Sequence, residues 1–327
     1  MRRAGRWALA LSAAALFNAA SLACADGEKR MATSEEIAAK VLGLPEERYY
    51  TYDLALDLEL TERLDGHDFE GLAIAGPKKV DLAKRDVVPI LMASVESGLR
   101  QWEIAAEKNH VLVAVNLRTG RVHAGPAYPL PHGKRPGPVE GEPKPEGLMA
   151  EATITGTASF DLRRIAGLPD GGASYAVTLI SFDRKSNTIR VDVTGPADSN
   201  EAPASVDPEP GDGGLPSYRK EADSPPLPRR GVAMVFGTAG QSAVYASFRV
   251  EAESEILAAA VAVFERNKPS ARLAAVVAPA TLDGPEATGY FALDLKERLA
   301  GFPPAGEFVA YALLGTHTSG PSRPAVK

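Results

Sequence analysis

The side chains of this 327-residue chain that could do chemistry are scattered. Its five histidines are His67, His110, His123, His132 and His317. No two stand at i, i+4, and none belongs to the His-Glu-x-x-His arrangement that holds zinc on a helix. His123 and His132 flank the start of a proline-rich stretch, but catalytic zinc needs three convergent protein ligands. Asp65, Asp68 and Glu70 crowd a short polar segment without the one-three-five spacing of a calcium loop. A turn between elements accounts for them. Ser174 and Ser242 lie in Gly172-Ala173-Ser174-Tyr175-Ala176 and Gly240-Gln241-Ser242-Ala243-Val244. Each segment lacks the second glycine of a nucleophile elbow. The carboxylate pairs Asp53/Asp57 and Glu251/Glu253 have even spacing, which on a strand puts both acids on one face. A solvated sheet face has the same pattern. No catalytic, cofactor-binding or metal-binding residue is therefore assigned, and no cofactor is expected.

The compartment is more legible. Arg2, Arg3 and Arg6 precede an apolar run from Trp7 to Leu22, followed by Ala23-Cys24-Ala25 and a polar segment from Asp26. This order of basic, apolar and small-residue regions is that of a secretory signal cleaved before Asp26. The run falls short of the ~20 residues of a membrane-spanning helix. Cys24 is the only cysteine, so a disulfide framework is excluded. Ser21-Leu22-Ala23-Cys24 also loosely resembles a bacterial lipobox, with Leu22 one position late, which makes Cys24 the candidate lipidation site. Location is accordingly expected in the periplasm, at the cell surface or in the medium. Contact with a membrane is expected only through that lipid.

Loss of the three signal arginines takes the formal charge from −6 to −9. An acidic chain without basic clusters is a poor ligand for phosphate backbones, so nucleic acid is not an expected partner.

The elements that must position any site read mainly as strands. Phe248 and Val250 alternate with Arg249 and Glu251, Phe291 and Leu293 with Ala292 and Asp294, and Ile189, Val191 and Val193 with Arg190 and Asp192. Period-two alternation is the mark of half-buried antiparallel strands. The capping-box pattern Thr33-Ser34-Glu35-Glu36 opens one short helix over Ile37 to Leu42. Tyr49 to Leu60 reads as a strand. Two proline-rich stretches, 128–147 and 195–229, lack periodicity and read as a long loop and an interdomain linker.

The chain also resembles itself. Phe160-Asp161-Leu162-Arg163 matches Leu293-Asp294-Leu295-Lys296, and Ile165 to Pro169 matches Leu299 to Pro303. Tyr175 to Ile180 matches Phe308 to Leu313, and Ser186-Asn187 matches Ser319-Gly320. Upstream, Arg85 to Leu91 resembles Arg230 to Phe236, and Val113-Ala114-Val115 resembles Val261-Ala262-Val263. Two related units are thus expected at 85–194 and 230–327, after a signal at 1–25 and an N-terminal segment at 26–84. Each unit has a strand, a Gly-Leu-Pro-like turn, a glycine, an aromatic residue and a second strand. In this it resembles the corner of immunoglobulin-like and fibronectin type III sandwiches, with Tyr175 at the corner tyrosine and Phe308 in its place in the second unit. Trp102 is the one candidate for the buried tryptophan of those families. The resemblance implies an all-β fold of two tandem β-sandwiches and, since such folds carry no function of their own, no activity. The expectation is an exported, non-catalytic binding, adhesion or structural module whose partner is an envelope or extracellular protein or a glycan. The alternative is a secreted hydrolase with a carboxylate- or histidine-based site at the sandwich loops.

Overall fold

A computed structural model describes residues 30–99, 110–119, 121–127, 152–195, 219–238, 242–251, 257–266, 268, 270–278, 281–303 and 308–324. Cys24 and the signal, Trp102, His132, all of the first proline-rich stretch and most of the second lie outside the described residues.

The N-terminal segment is helical. In α1 (Ser34–Lys40) the Thr33 and Glu36 side chains each accept a hydrogen bond from the other's backbone N–H, completing the capping box. Gly43 ends the helix where a Cβ would lie 2.3 Å from the Ala39 carbonyl oxygen. After a 3₁₀ turn (Glu46–Tyr50) comes α2 (Leu54–Asp65). The strand expected over Tyr49 to Leu60 is therefore corrected to helix. Leucine at every second position reads as a strand, but Leu56, Leu60 and Leu64 also fall at i, i+4 and are the ones buried, whereas Leu58 is 56% exposed. Asp53 caps the helix by accepting from the Leu56 N–H at 2.8 Å. Leu, Ala and Glu favour helix, and no β-branched residue interrupts the first turns.

The first sandwich comprises β1 (Gly71–Ala75), β2 (Lys79–Asp81), β3 (Pro89–Leu99), β4 (His110–Asn116), β5 (Val122–Pro126), β6 (Ala152–Asp161), β7 (Ala173–Ser181) and β8 (Arg184–Thr194), with a helical turn α3 (Leu162–Ala166) after β6. Its sheets run β1-β3-β6 and β2-β8-β7-β4-β5. Leu72, Ile90, Phe160, Leu112, Val177 and Val191 meet between them. The Asn187 side chain fastens the edges together, accepting from the Ile74 N–H at 2.8 Å and donating to its carbonyl at 3.0 Å.

The second sandwich comprises β9 (Gly231–Phe236), β10 (Ala243–Glu251), β11 (Leu257–Glu265), β12 (Ala271–Ala278), β13 (Thr281–Asp283), β14 (Glu286–Asp294), a helical turn α4 (Leu295–Arg298), β15 (Phe308–Leu314) and β16 (His317–Thr318). Its sheets run β13-β14-β10-β9 and β12-β11-β15-β16. Phe248, Phe291, Val261 and Phe308 sit in its core. The fold is all-β, two β-sandwiches with a helical N-terminal segment.

Connectivity repeats between the sandwiches, and so do local bonds. Asp161 and Asp294 cap α3 and α4 through the N–H groups of Arg163 and Lys296. Gly167 and Gly301 follow with φ of 63° and 62°, a conformation that favours glycine. Ser186 Oγ accepts from the Leu179 N–H and donates to the next carbonyl, and Ser319 Oγ does the same with Ala312 and Gly320. The upstream match is corrected. The counterpart of β9 is β1, not the start of β3, so the first sandwich begins at Gly71 and not at Arg85. Strand β1 escapes a period-two search because Leu72 to Ala75 are buried on both faces. Along β4 the match slips by one residue, which exchanges faces. Val113 lies between the sandwiches, whereas Val261 lies inside one.

The sandwiches are stacked face to face. Val111, Val113, Val115 and Ile180 of the five-stranded sheet pack against Ala262, Phe264, Tyr311 and Leu313 of the β12-β11-β15-β16 sheet. Tyr311 donates to the Phe182 carbonyl at 3.0 Å, and Asp183 pairs with Arg323 at 2.6 Å. Lys185 donates to the carbonyl of Thr318, its own counterpart in the second unit. Residues meeting their counterparts are the mark of an isologous contact, here within one chain.

Candidate functional site

Among the described residues, the histidines do not converge. His67 follows α2, His110 opens β4, His123 lies on β5 and His317 on β16. His123 meets the buried Tyr175 ring edge-on at 6.0 Å. At the matching place Phe308 packs edge-on against Phe302 and Phe236, at 4.8 and 5.7 Å. No cluster of three or more His, Cys, Asp or Glu side chains suited to a metal occurs among the described residues.

The carboxylate pairs are also separated. Asp53 is the cap of α2, and Asp57 is buried under that helix, accepting from the hydroxyls of Tyr52 and Thr157. They stand on a helix terminus and not on a strand face, so the expected alignment does not arise. Glu251 pairs with Arg230, and Glu253 lies outside the described residues. Ser174 Oγ donates to Asp192, which lowers the Asp192 carboxyl pKa, with Arg190 adding to the effect. The acidic turn after α2 places Glu70 3.3 Å from Arg184.

One polar cluster was missed in the sequence. Glu96 on β3 and His110 on β4 face each other across the end of the first sandwich, with Nε2 3.9 Å from Oε1. Proximity to His110 lowers the Glu96 carboxyl pKa against the opposing effect of burial, and the Arg184 charge assists. Only Glu96 standing two positions beyond the core-facing Ser94 and Met92 signals that it points inward.

The sheet faces give a second candidate. Residues of α1 and α2 seal the outer face of β1-β3-β6, where Ile37, Leu42, Leu56 and Leu60 join Ala73, Leu91 and Ala93 in an apolar layer. The outer faces of the two sheets between the sandwiches cover each other. Among the described residues, no such layer lies on the outer face of β13-β14-β10-β9. Alternation places Val235 of β9, Tyr245, Ser247 and Arg249 of β10 and Tyr290 of β14 on it, since their neighbours Met234, Val244, Phe248 and Phe291 fill the core. Val235 is 37% exposed, and Tyr245 and Tyr290 are half-buried. Residues 219–230 lie against this face: Ser247 donates to the Pro226 carbonyl at 3.0 Å, and Asp223 accepts from the Thr238 N–H at 3.0 Å. The end of the expected linker is thus a strap on the second sandwich, fixed by side-chain bonds that composition does not reveal.

No family model and no curated protein matches the chain. Among solved structures it is similar to the BSP domain of a biofilm associated protein, 11% identical over 78% of this chain and 30% of that one, with a TM-score of 0.18. It is also similar to a serine-rich repeat adhesion glycoprotein of Streptococcus agalactiae, 10% identical over 79% of this chain and 97% of that one, with a TM-score of 0.19. The chain spans less than a third of the first. Superpositions this loose transfer no activity. No described helix is long and apolar enough to cross a membrane.

Proposed function

We propose that the chain is an exported, non-catalytic binding module of the cell envelope, and that its working surface is the outer face of the β13-β14-β10-β9 sheet. The observation that carries this reading is the fate of the four outer sheet faces. Three are buried under apolar layers, and the fourth bears Val235, Tyr245 and Tyr290. Half-exposed tyrosines beside an exposed valine suit an extracellular protein or a glycan, because an aromatic ring offers a large contact area and few rotamers to fix. Export rests on the signal at Met1 to Ala25, with a free start at Asp26 or a lipidated Cys24. The repeated local bonds support descent of the two sandwiches from one duplicated unit.

Binding of the labelled mature protein to isolated envelope tests the reading. Val235→Asp and Tyr290→Ala are each expected to weaken it about tenfold, as loss of a central anchor does, with the melting temperature held. Undiminished binding by both variants would reject this surface. A secreted hydrolase is the second reading, favoured by the His110–Glu96 pair at the sandwich end. Loss of a hydrolytic activity in a normally folded His110→Ala variant would establish it.

A further inference from the structure

The covers over the two sandwiches are built differently. Over the first, α1, the two residues after it and α2 contribute Ile37, Val41, Leu42, Leu56, Leu60 and Leu64, all essentially inaccessible to solvent, to a continuous apolar layer. Over the second, no residue of 219–230 belongs to any buried apolar cluster. Pro225 is buried, and Leu227 stands 36% exposed. The strap is held to the sandwich by Ser247 Oγ on the Pro226 carbonyl and by the Asp223 carboxylate, which accepts from the N–H and hydroxyl of Thr238. Its last residue, Arg230, pairs with Glu251. The Asp223 and Arg230 contacts lie near solvent and contribute little beside a buried apolar layer.

The strap's chemistry fits the sheet it crosses. Pro225-Pro226-Leu227-Pro228 has three prolines in four residues. Proline fixes φ and removes the N–H, so this run favours an extended polyproline conformation and cannot join the ladder as a strand. It can dock through carbonyl oxygens and ring faces on a surface with hydroxyl donors and aromatic rings. Ser247 supplies such a donor and Tyr245 such a ring. Arg249 adds a buried Nε without a hydrogen-bond partner. Gly237 lets the Tyr245 ring lie against the backbone, since a Cβ there would be 2.5 Å from Cε2.

We propose that residues 219–230 are a displaceable strap, and that the face beneath it docks a proline-rich extended segment of a partner in the same place. This rests on the binding surface proposed above and names the chemistry of its ligand. The probe is a labelled peptide with the strap's own sequence, Arg219 to Arg230, titrated against the full mature chain. Asp223→Ala frees the strap by removing the acceptor of both Thr238 bonds, and is expected to raise peptide affinity about tenfold. Paired Asp223→Cys and Thr238→Cys substitutions lock the strap when oxidised; peptide binding should vanish and return on reduction. In the unmodified chain, hydrogen exchange at Leu227, Arg229, Arg230 and Thr238 should run ahead of β10 and β14. Equal peptide binding by oxidised and reduced forms, or strap amides as protected as β10, would overturn the proposal. The locked pair decides the matter even where Asp223→Ala does not fold. No envelope component enters, so this test and the envelope-binding test fail independently.

Discussion

Among individual residues, Glu96 at the end of the first sandwich is the one whose protonation is expected to bear on folding. Glu96 and His110 come from opposite sheets and approach to 3.9 Å at its end. The Glu96 pKa lies below its ordinary value of 4.5 in the folded chain. A carboxyl depressed by folding adds stability that is fully present above the unfolded pKa and lost as pH falls through the folded one. Stability should therefore decline in acid below pH 4.5, and the decline should be shallower in Glu96→Gln. Denaturant unfolding of both forms between pH 3 and 7, about the range over which a carboxyl titrates, checks this; identical slopes would mean that the pair contributes nothing. The cluster was hidden because Glu96 and His110 are remote partners on two strands, and no spacing motif joins them. Tyr245 and Val235 were hidden for the opposite reason: they occupy ordinary outward positions of alternating strands.

At the scale of elements, the repeated serines offer a paired experiment. Ser186 and Ser319 make the same two bonds in the two sandwiches, each satisfying a buried N–H. Ser186→Ala and Ser319→Ala should each cost about 1–3 kcal/mol, the cost of leaving a buried donor unsatisfied. Each belongs to a different sandwich, so the double variant shows whether the two costs add or couple across the contact between them. Thermal unfolding of the single and double variants reads this directly, and a cost confined to one serine would show that the repeat is not energetic. Strands with one face toward solvent, such as β8 and β10, were legible from alternation. Strands buried on both faces were not: β15 is buried throughout, so the duplication, not the periodicity, marked it. The helix α2 was misread because its leucines satisfy periods of two and four at once. The repeat itself was readable where both copies keep the same turn, at α3 and α4. It was lost upstream, where no shared turn pins the register.

At the scale of the whole molecule, the sandwiches follow one another in sequence but stack face to face in space, with an apolar layer that includes Phe264, Tyr311 and Leu313 between them. Burial also pushes the Tyr311 phenol pKa upward, while its hydroxyl holds the strained turn at Phe182, where φ is 43°. This packing removes two sheet faces from solvent and leaves the strapped face of the second sandwich, the surface proposed for binding, outside the contact. Stacked in this way, the two sandwiches should behave as one body. Scanning calorimetry of the mature chain and of Phe264→Asp tests it most directly, because a charge in that layer uncouples the sandwiches and leaves each core intact. One cooperative transition is expected for the unaltered chain, splitting into two for the variant. Two independent transitions in the unaltered chain, unmoved by Phe264→Asp, would contradict it.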